Sequence, residues 1–412
     1  MNTIGKTQSE ASDVYAMPEL KEDFAAEVDL ASRWLGGSVL AASDESFGEK
    51  ESLLTPTPSA FVPGNYGPHG EIVDGWETKR RREPGHDWAL IRLGAAGIIT
   101  GIDVDTSFFT GNFPTTCRIE ACGVEGYPGP KALQSAATEW VEIVPRSPLK
   151  GDAHNRFDVS DGRRFTHVRL SAFPDGGIAR LRVYGHVVPD PRLFDRLTID
   201  LASQDHGGQV VTSSDGFYTS AAMLNRPDKA RNMGDGWETR RRRDDGNDHA
   251  VIRLAMPSDV RLVEIDTAHF KYNASAEVAL CGAGEALAAA DGWTPLLSRR
   301  PLQPDTRHVF RLAQTGAPVS YVRLDAYPDG GISRVRLWGK VDPAARRAAG
   351  YRCFNALPAG QARQVLAEQG VSADIAERLV SARPLTEEIV ACFDGANLAG
   401  VKAVLEGPGD ES

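Results

Sequence analysis

The chain is written twice. DLASRWLGGSVLAASD (29–44) returns as DLASQDHGGQVVTSSD (200–215), and DGWETKRRR (74–82) returns as DGWETRRRR (235–243). IDVDTSFFTGN (102–112) returns as VEIDTAHFKYN (263–273), and THVRLSAFPDGGIARLRVYG (166–185) returns as SYVRLDAYPDGGISRVRLWG (320–339). Order is kept while the offset falls from 171 to 161 to 154 residues, so the second copy carries two deletions. One faces TPTPSAFVPGNYGPHG (55–70), whose Pro and Gly content reads as a loop; the other faces the stretch between Asn112 and Thr166. Elements that hold their spacing while loops vary are two copies of one domain.

Within each copy the pattern is β. ALIRLG (89–94) and AVIRLA (250–255) are short apolar runs, while IITGIDVDT (98–106), ARLRVYG (179–185) and SRVRLWG (333–339) alternate. Short strands broken by Gly, Pro and Asp predict a sandwich or barrel. PDGG (174–177 and 328–331) is a tight turn, with Pro fixing φ and Gly supplying positive φ. The expected fold is mostly β: two tandem jelly-roll β-sandwiches plus a short C-terminal helical appendix. The expected division is an arm over 1–28, sandwiches over 29–190 and 191–345, and a tail over 346–412. In that tail, residues 359–393 have helical spacing, and apolar positions 365, 366, 375, 376, 379 and 380 would share one face of a helix pair. The first twenty-odd residues read as a poorly ordered arm, and EGPGDES as a frayed end.

At 412 residues, 41% hydrophobic and 25% charged, the composition is that of a soluble globular protein. No apolar run is long enough to cross a bilayer, and the first thirty residues lack a secretory pattern, so the expected address is cytoplasmic. Five scattered cysteines without a CxxC pair predict reduced, buried thiols. A net charge of -10 argues against a nucleic-acid surface.

The run of cations in DGWETKRRREPGHDW (74–88) stands out in so acidic a chain. Read as a strand, it points Lys79 and Arg81 one way and Arg80 and Arg82 the other, with Trp76 as an apolar wall. An arginine fork grips a carboxylate through two parallel hydrogen bonds. GHDW (85–88) offers His86 as acid or base with Asp87 orienting it, whereas the second copy reads GNDH (246–249). His269 stands where the first copy has Phe108. Asp103 with Asp105, and Glu264 with Asp266, fall two apart on a strand; such pairs hold a divalent cation or share a proton, and salt bridges to the arginines account for them equally well. Serine-hydrolase, Walker and zincin motifs are lacking. A non-catalytic sandwich that binds carbohydrate or a small anion is the alternative to an enzyme.

The paired DLAS, DGWET(K/R)RRR, GIDVDTSFFTGN/VEIDTAHFKYN and PDGGI segments together resemble the allantoicase family over roughly residues 29–342. The resemblance implies galactose-binding-like jelly rolls, assembly as a homo-oligomer, and hydrolysis of allantoate to ureidoglycolate and urea. From the apolar runs and the net charge no membrane or nucleic-acid partner is expected, and the only cofactor option, a divalent metal, rests on the carboxylate pairs. On the basis of the resemblance the substrate-binding candidates are Trp76, Glu77, Arg80, Arg81, Arg82, Thr106 and Asn112, with Trp237, Glu238, Arg240, Arg241, Arg242, Thr267 and Asn273 in the second copy. The catalytic candidates are His86, Asp87, Asp105, Asp266 and His269: a histidine protonates the departing urea, Asp105 or Asp266 stabilises the cationic centre, and Asp87 steers water. The tail from CFNALP (353–358) to ARPL (382–385) resembles the opening of a decarboxylase acting on an oxidised urate intermediate, without the rest of that enzyme; a packing role is expected of it.

Overall fold

The computed structural model describes residues 24–285, 292–314, 316–393 and 398–408. Each copy is organised by one 19-residue strand, Asp87–Asp105 in the first and Asp248–Asp266 in the second. Where the sequence suggested two strands, the chain stays extended through the join. A straight strand of that length would run about 60 Å, and this one instead serves both layers of a sandwich. Its first half lies between Ser38–Ala42 and Arg164–Phe173. Its second half lies between Arg180–Val187 and His154–Asp158.

Registry fixes how the ends meet. Ala172 pairs with Asp87 and Arg180 pairs with Asp105, so the short PDGG connection joins the two layers at one end of the sandwich. The second copy repeats this, with Ala326 opposite Asp248 and Arg334 opposite Asp266. The turnover lies around Gly94–Gly97. A Cβ on Gly94 would sit 2.7 Å from the backbone of Gly37 and Leu35, so only glycine lets the 33–37 turn close on the strand there.

Inward positions alternate as a half-buried strand requires. Trp76, Ile91, Ile102, Val104, Val168, Leu170, Leu181 and Val183 form the first core, and Trp237, Ile252, Val263, Ile265, Val322, Leu324 and Leu337 the second. Across the copies, the Arg226 guanidinium sits 3.5 Å from the Trp34 ring centroid, backed by Asp228 at 2.8 Å. Cys117, Cys122 and Cys353 are buried and Cys281 partly so, all unpaired, while Cys392 is exposed.

Two boundaries differ from expectation. Residues 1–23 of the expected arm lie outside the described residues, but 24–28 belong to the first sandwich. Phe24 packs on Tyr184 at 5.7 Å, and Val28 pairs with Gly185. Among the described residues the tail holds five helices, Pro343–Ala356, Ala359–Glu368, Ala373–Ser381, Glu387–Ala391 and Leu398–Leu405, the second and third being the expected pair. The first starts at Pro343 because Asp342 accepts from the N–H groups of Ala344 and Ala345. Val365, Leu366, Ala376, Leu379 and Val380 do share the buried face, closing over Phe354, Leu405 and Val188. Arg346 grips Asp195 with two hydrogen bonds of 2.6 and 3.1 Å, and Glu125 accepts from both buried Arg164 (2.5 Å) and Gln361 (2.7 Å). At the other end, residues 409–412 lie outside the described residues, but Glu406 and Gly407 both donate to the Lys402 carbonyl.

Candidate active site at the end of each sandwich

The repeated cationic motif is a strand only over Trp76–Glu77 and Trp237–Glu238. Beyond Glu77 the Thr78 N–H still reaches the Gly176 carbonyl, but the next anchored donors go to acidic side chains. The Lys79 N–H donates to Asp44 (2.9 Å) and the Arg81 N–H to Asp175 of the PDGG turn (2.7 Å). In the second copy Arg240 donates to Asp215 and Arg242 to Asp329 in the same way, at 2.8 and 3.0 Å. Side chains therefore do not alternate across a sheet. Arg81 turns back to the buried Asp87 (3.1 Å), which also accepts from Ser43. Arg242 does the same with Asp248 (2.8 Å), while Arg80, Arg82, Arg240 and Arg241 stay exposed. Trp76 and Trp237 are not pocket walls: both are fully buried, their indole N–H groups donating to the carbonyls of Asp44 and Asp215.

The loop that follows the long strand is held from within. Thr106 and Thr267 are fully buried and donate to the carbonyls of Lys150 and Gln303, each at 2.6 Å, so they brace the loop rather than reach a ligand. Asp105 accepts from Ser107 N–H and Asp266 from Ala268 N–H, both at 2.8 Å, which spends them as turn caps. Nor are the strand carboxylates open for a metal: Asp103 lies 2.9 Å from His154, and Arg307 donates to Glu264 at 2.5 Å. No group of three or more His, Cys, Asp or Glu side chains is placed to hold a metal among the described residues.

What the loop presents is a pair. Asn112 donates to Glu77 at 2.8 Å, and Asn273 donates to Glu238 at 2.7 Å. Between them and the strand sits a residue in the left-handed region, Phe108 at φ 68° or His269 at φ 71°. Asp152 and Asp305 accept the N–H of these two residues at 2.8 and 2.7 Å. Strained backbone locked by its surroundings is a hallmark of functional loops. The second PDGG glycine is required here, since a Cβ on Gly177 would lie 2.0 Å from the buried Phe109 ring.

Only the first copy walls this pair in. Residues that read as a loop form a hairpin, Phe61–Gly67 with Gly70–Val73, and Phe61 stacks on Phe108 at 5.8 Å. The result is a cleft of about 400 Å³ lined by Phe47, Phe61, Glu71, Glu77, Phe108, Thr110, Asn112 and Asp152, among others. Burial pushes the Glu77 carboxyl above its ordinary range despite the opposing hydrogen bond from Asn112. The sequence signal for this wall was the ten-residue insertion of the first copy; Phe47, Glu71 and Asp152 carried no signal of their own.

His86 belongs to a different group. Its ring lies 4.5 Å from that of Phe173, which Arg146 covers at 4.2 Å. Burial first, then the charges of Arg118, Arg81 and Arg169, hold its imidazole below its usual range, so it is neutral near pH 7. The PDGG turn separates the groups: Arg81 N–H meets Asp175 while the Asn112 carbonyl accepts from Gly177 N–H. In the second copy Asn247 fills the place of His86 and donates to Asp325 at 3.0 Å.

A family model described as Allantoicase repeat matches residues 28–188 and 199–342. A probable allantoicase of Nocardia farcinica is 51% identical over 315 residues, 76% of this chain and 94% of the relative. One of Streptomyces coelicolor is 47% identical, over 80% of this chain and 90% of the relative. This chain belongs to the allantoicase family. The crystal structure of allantoicase from Saccharomyces cerevisiae matches with a TM-score of 0.64 at 35% identity, covering 76% of this chain and 94% of that one. As an allantoicase-family member the chain is a hydrolase, which displaces the non-catalytic sandwich alternative. The family match stops at residue 342, just before the first tail helix at Pro343.

Proposed function

We propose that this chain hydrolyses allantoate to ureidoglycolate and urea, as a step of purine breakdown, and that the cleft of the first repeat is the working site. Family membership across both repeats carries the reaction, and the walled Glu77–Asn112 pair carries the location. Allantoate bears a carboxylate and two ureido groups on one carbon. The cleft lining named above includes three carboxylates and no cation, so the ureido N–H groups enter and the substrate carboxylate faces the mouth. Arg80 and Arg82, exposed on the segment directly after Glu77, take that carboxylate.

Urea leaves when the C–N bond at the tetrahedral carbon breaks. Glu77, protonated more readily than an ordinary carboxylate because it is half-buried, gives its proton to the departing nitrogen. The lone pair of the remaining ureido nitrogen fills the vacated orbital, and the resulting acyl-iminium centre lies beside the carboxylate just formed. Water then adds to that carbon and returns its proton to Glu77, so the group serves first as acid and then as base. His86, across the PDGG turn, takes no part in this scheme. Incubation with allantoate and quantitation of urea and ureidoglycolate tests the reading; release no faster than the uncatalysed rate ends it.

A further inference from the structure

The second repeat keeps the loop geometry of the first and changes what surrounds it. Glu238 and Asn273 make the same hydrogen bond, and His269 occupies the left-handed position held by Asp305. Among the described residues no hairpin covers this end; the chain passes instead through Ala230 and Met233. The Ala230 carbonyl lies 3.0 Å from His269 Nε2, and Met233 Sδ lies 3.7 Å from Asn273 Nδ2. A carbonyl only accepts, so Nε2 carries a proton, and in the tautomer that carries it only there Nδ1 is an acceptor. Glu238 accepts through Oε1 from Asn273, which leaves Oε2 to a ligand. Phe217, Tyr218 and Tyr272, 59%, 60% and 98% exposed, are apolar surface in the same repeat.

We propose that this end of the second repeat is a second binding site for the ureido group, one that binds without hydrolysing. The choice of ligand class rests on the reading of the first repeat. Acceptors dominate: Glu238 Oε2, His269 Nδ1 and the Asn273 carbonyl suit the N–H edge of a carbamoyl amine. Turnover belongs to the first repeat because, among the described residues, no hairpin stands beside Glu238 as Phe61–Gly67 and Gly70–Val73 stand beside Glu77.

The test uses the full chain and N-carbamoylglycine, which carries one ureido group and a carboxylate and lacks the second ureido group that the reaction expels. Calorimetric titration should give two sites per chain, one after Asn273→Ala and one after Asn112→Ala. Glu238→Gln, a near-isosteric change, should weaken the second site about tenfold without lowering the melting temperature. A single site in the unaltered chain that Asn112→Ala abolishes and Asn273→Ala spares overturns the proposal, as does no binding at all. Binding of guanidinoacetate but not N-carbamoylglycine at the Asn273-dependent site overturns the ligand class. Allantoate turnover is measured separately: turnover with one binding site sinks only this proposal, and two sites without turnover sink only the proposed reaction.

Discussion

Glu77→Gln isolates proton transfer from everything else the residue does. Its side chain is half-buried and accepts one hydrogen bond from Asn112 at 2.8 Å. A glutamine carbonyl accepts that bond in the same place, so loop and cleft keep their shape. What is lost is the proton. General acid–base assistance amounts to about 10²–10⁴-fold, or roughly 3–5 kcal/mol of activation free energy, and kcat should fall by that factor with KM changed less than about threefold. In the unaltered enzyme kcat should decline as pH rises through the raised Glu77 value, because the acid form begins the reaction; the variant's residual rate should be flat across that window. Its contribution to stability should fall in the same direction. A carboxyl held above its ordinary range binds its proton more tightly folded than unfolded, so its contribution is full below the unfolded value and is lost as pH rises through the folded one. Glutamine never ionises, and at pH 8 the variant should melt no lower than the unaltered chain. Steady-state urea release from pH 5.5 to 9, with melting curves at the same pH values, reads both. A kcat within about threefold of the parent refutes Glu77 as the acid.

Asp29 is held up to about 6 by burial against the pull of Arg182, so the stability it lends below pH 4 is lost as pH rises through 6. Asp29→Asn should therefore gain on the parent by up to about 3 kcal/mol between pH 4 and 8, in urea denaturation run at both pH values. Asp152→Ala removes the acceptor that holds Phe108 at φ 68°, releasing about 1–3 kcal/mol of loop strain. kcat/KM should drop roughly 5–100-fold, and Asp152→Asn, which retains an acceptor, should recover most of it. Arg346→Ala strands Asp195, itself 20% exposed, beneath the tail. The loss should be about 2–3 kcal/mol after discounting for that exposure, seen in denaturant melts without a change in kcat.

The two sandwiches were legible because their strands follow a period-2 pattern that two copies display independently. Ile102 and Val104, or Val168 and Leu170, could not face outward without exposing a whole sheet face. The five-helix tail was legible in kind but not in number, since short helices of middling amphipathicity take their ends from caps such as Asp342 and from packing on Val188. The site was read only in part. Glu77 and Asn112 were found as members of repeated motifs, but nothing local marks Phe47, Glu71 or Asp152. Glu71 reaches the cleft on a hairpin that Pro and Gly made resemble an irregular loop, and Phe47 and Asp152 reach it from segments distant in sequence.

The arginine run shows why recurrence is not the same as ligand contact. What the two copies share is a set of backbone anchors: the Asp44 and Asp215 carboxylates, the aspartate of each PDGG turn, and the indole bonds of Trp76 and Trp237. These bind three separate segments into one end-cap, and a change in a PDGG aspartate would leave the partly buried N–H of Arg81 or Arg242 without its partner. Recurrence in both copies is therefore accounted for before any ligand is considered. The ion pairs Arg81–Asp87 and Arg242–Asp248 belong to the same frame. On the proposed reading, function is carried by what the frame holds still and the copies do not share: a hairpin lining the cleft with Glu77 in one and His269 in place of Phe108 in the other. Duplication supplied two equivalent mounts, and on the proposed reading the walls around them decide which one turns over substrate.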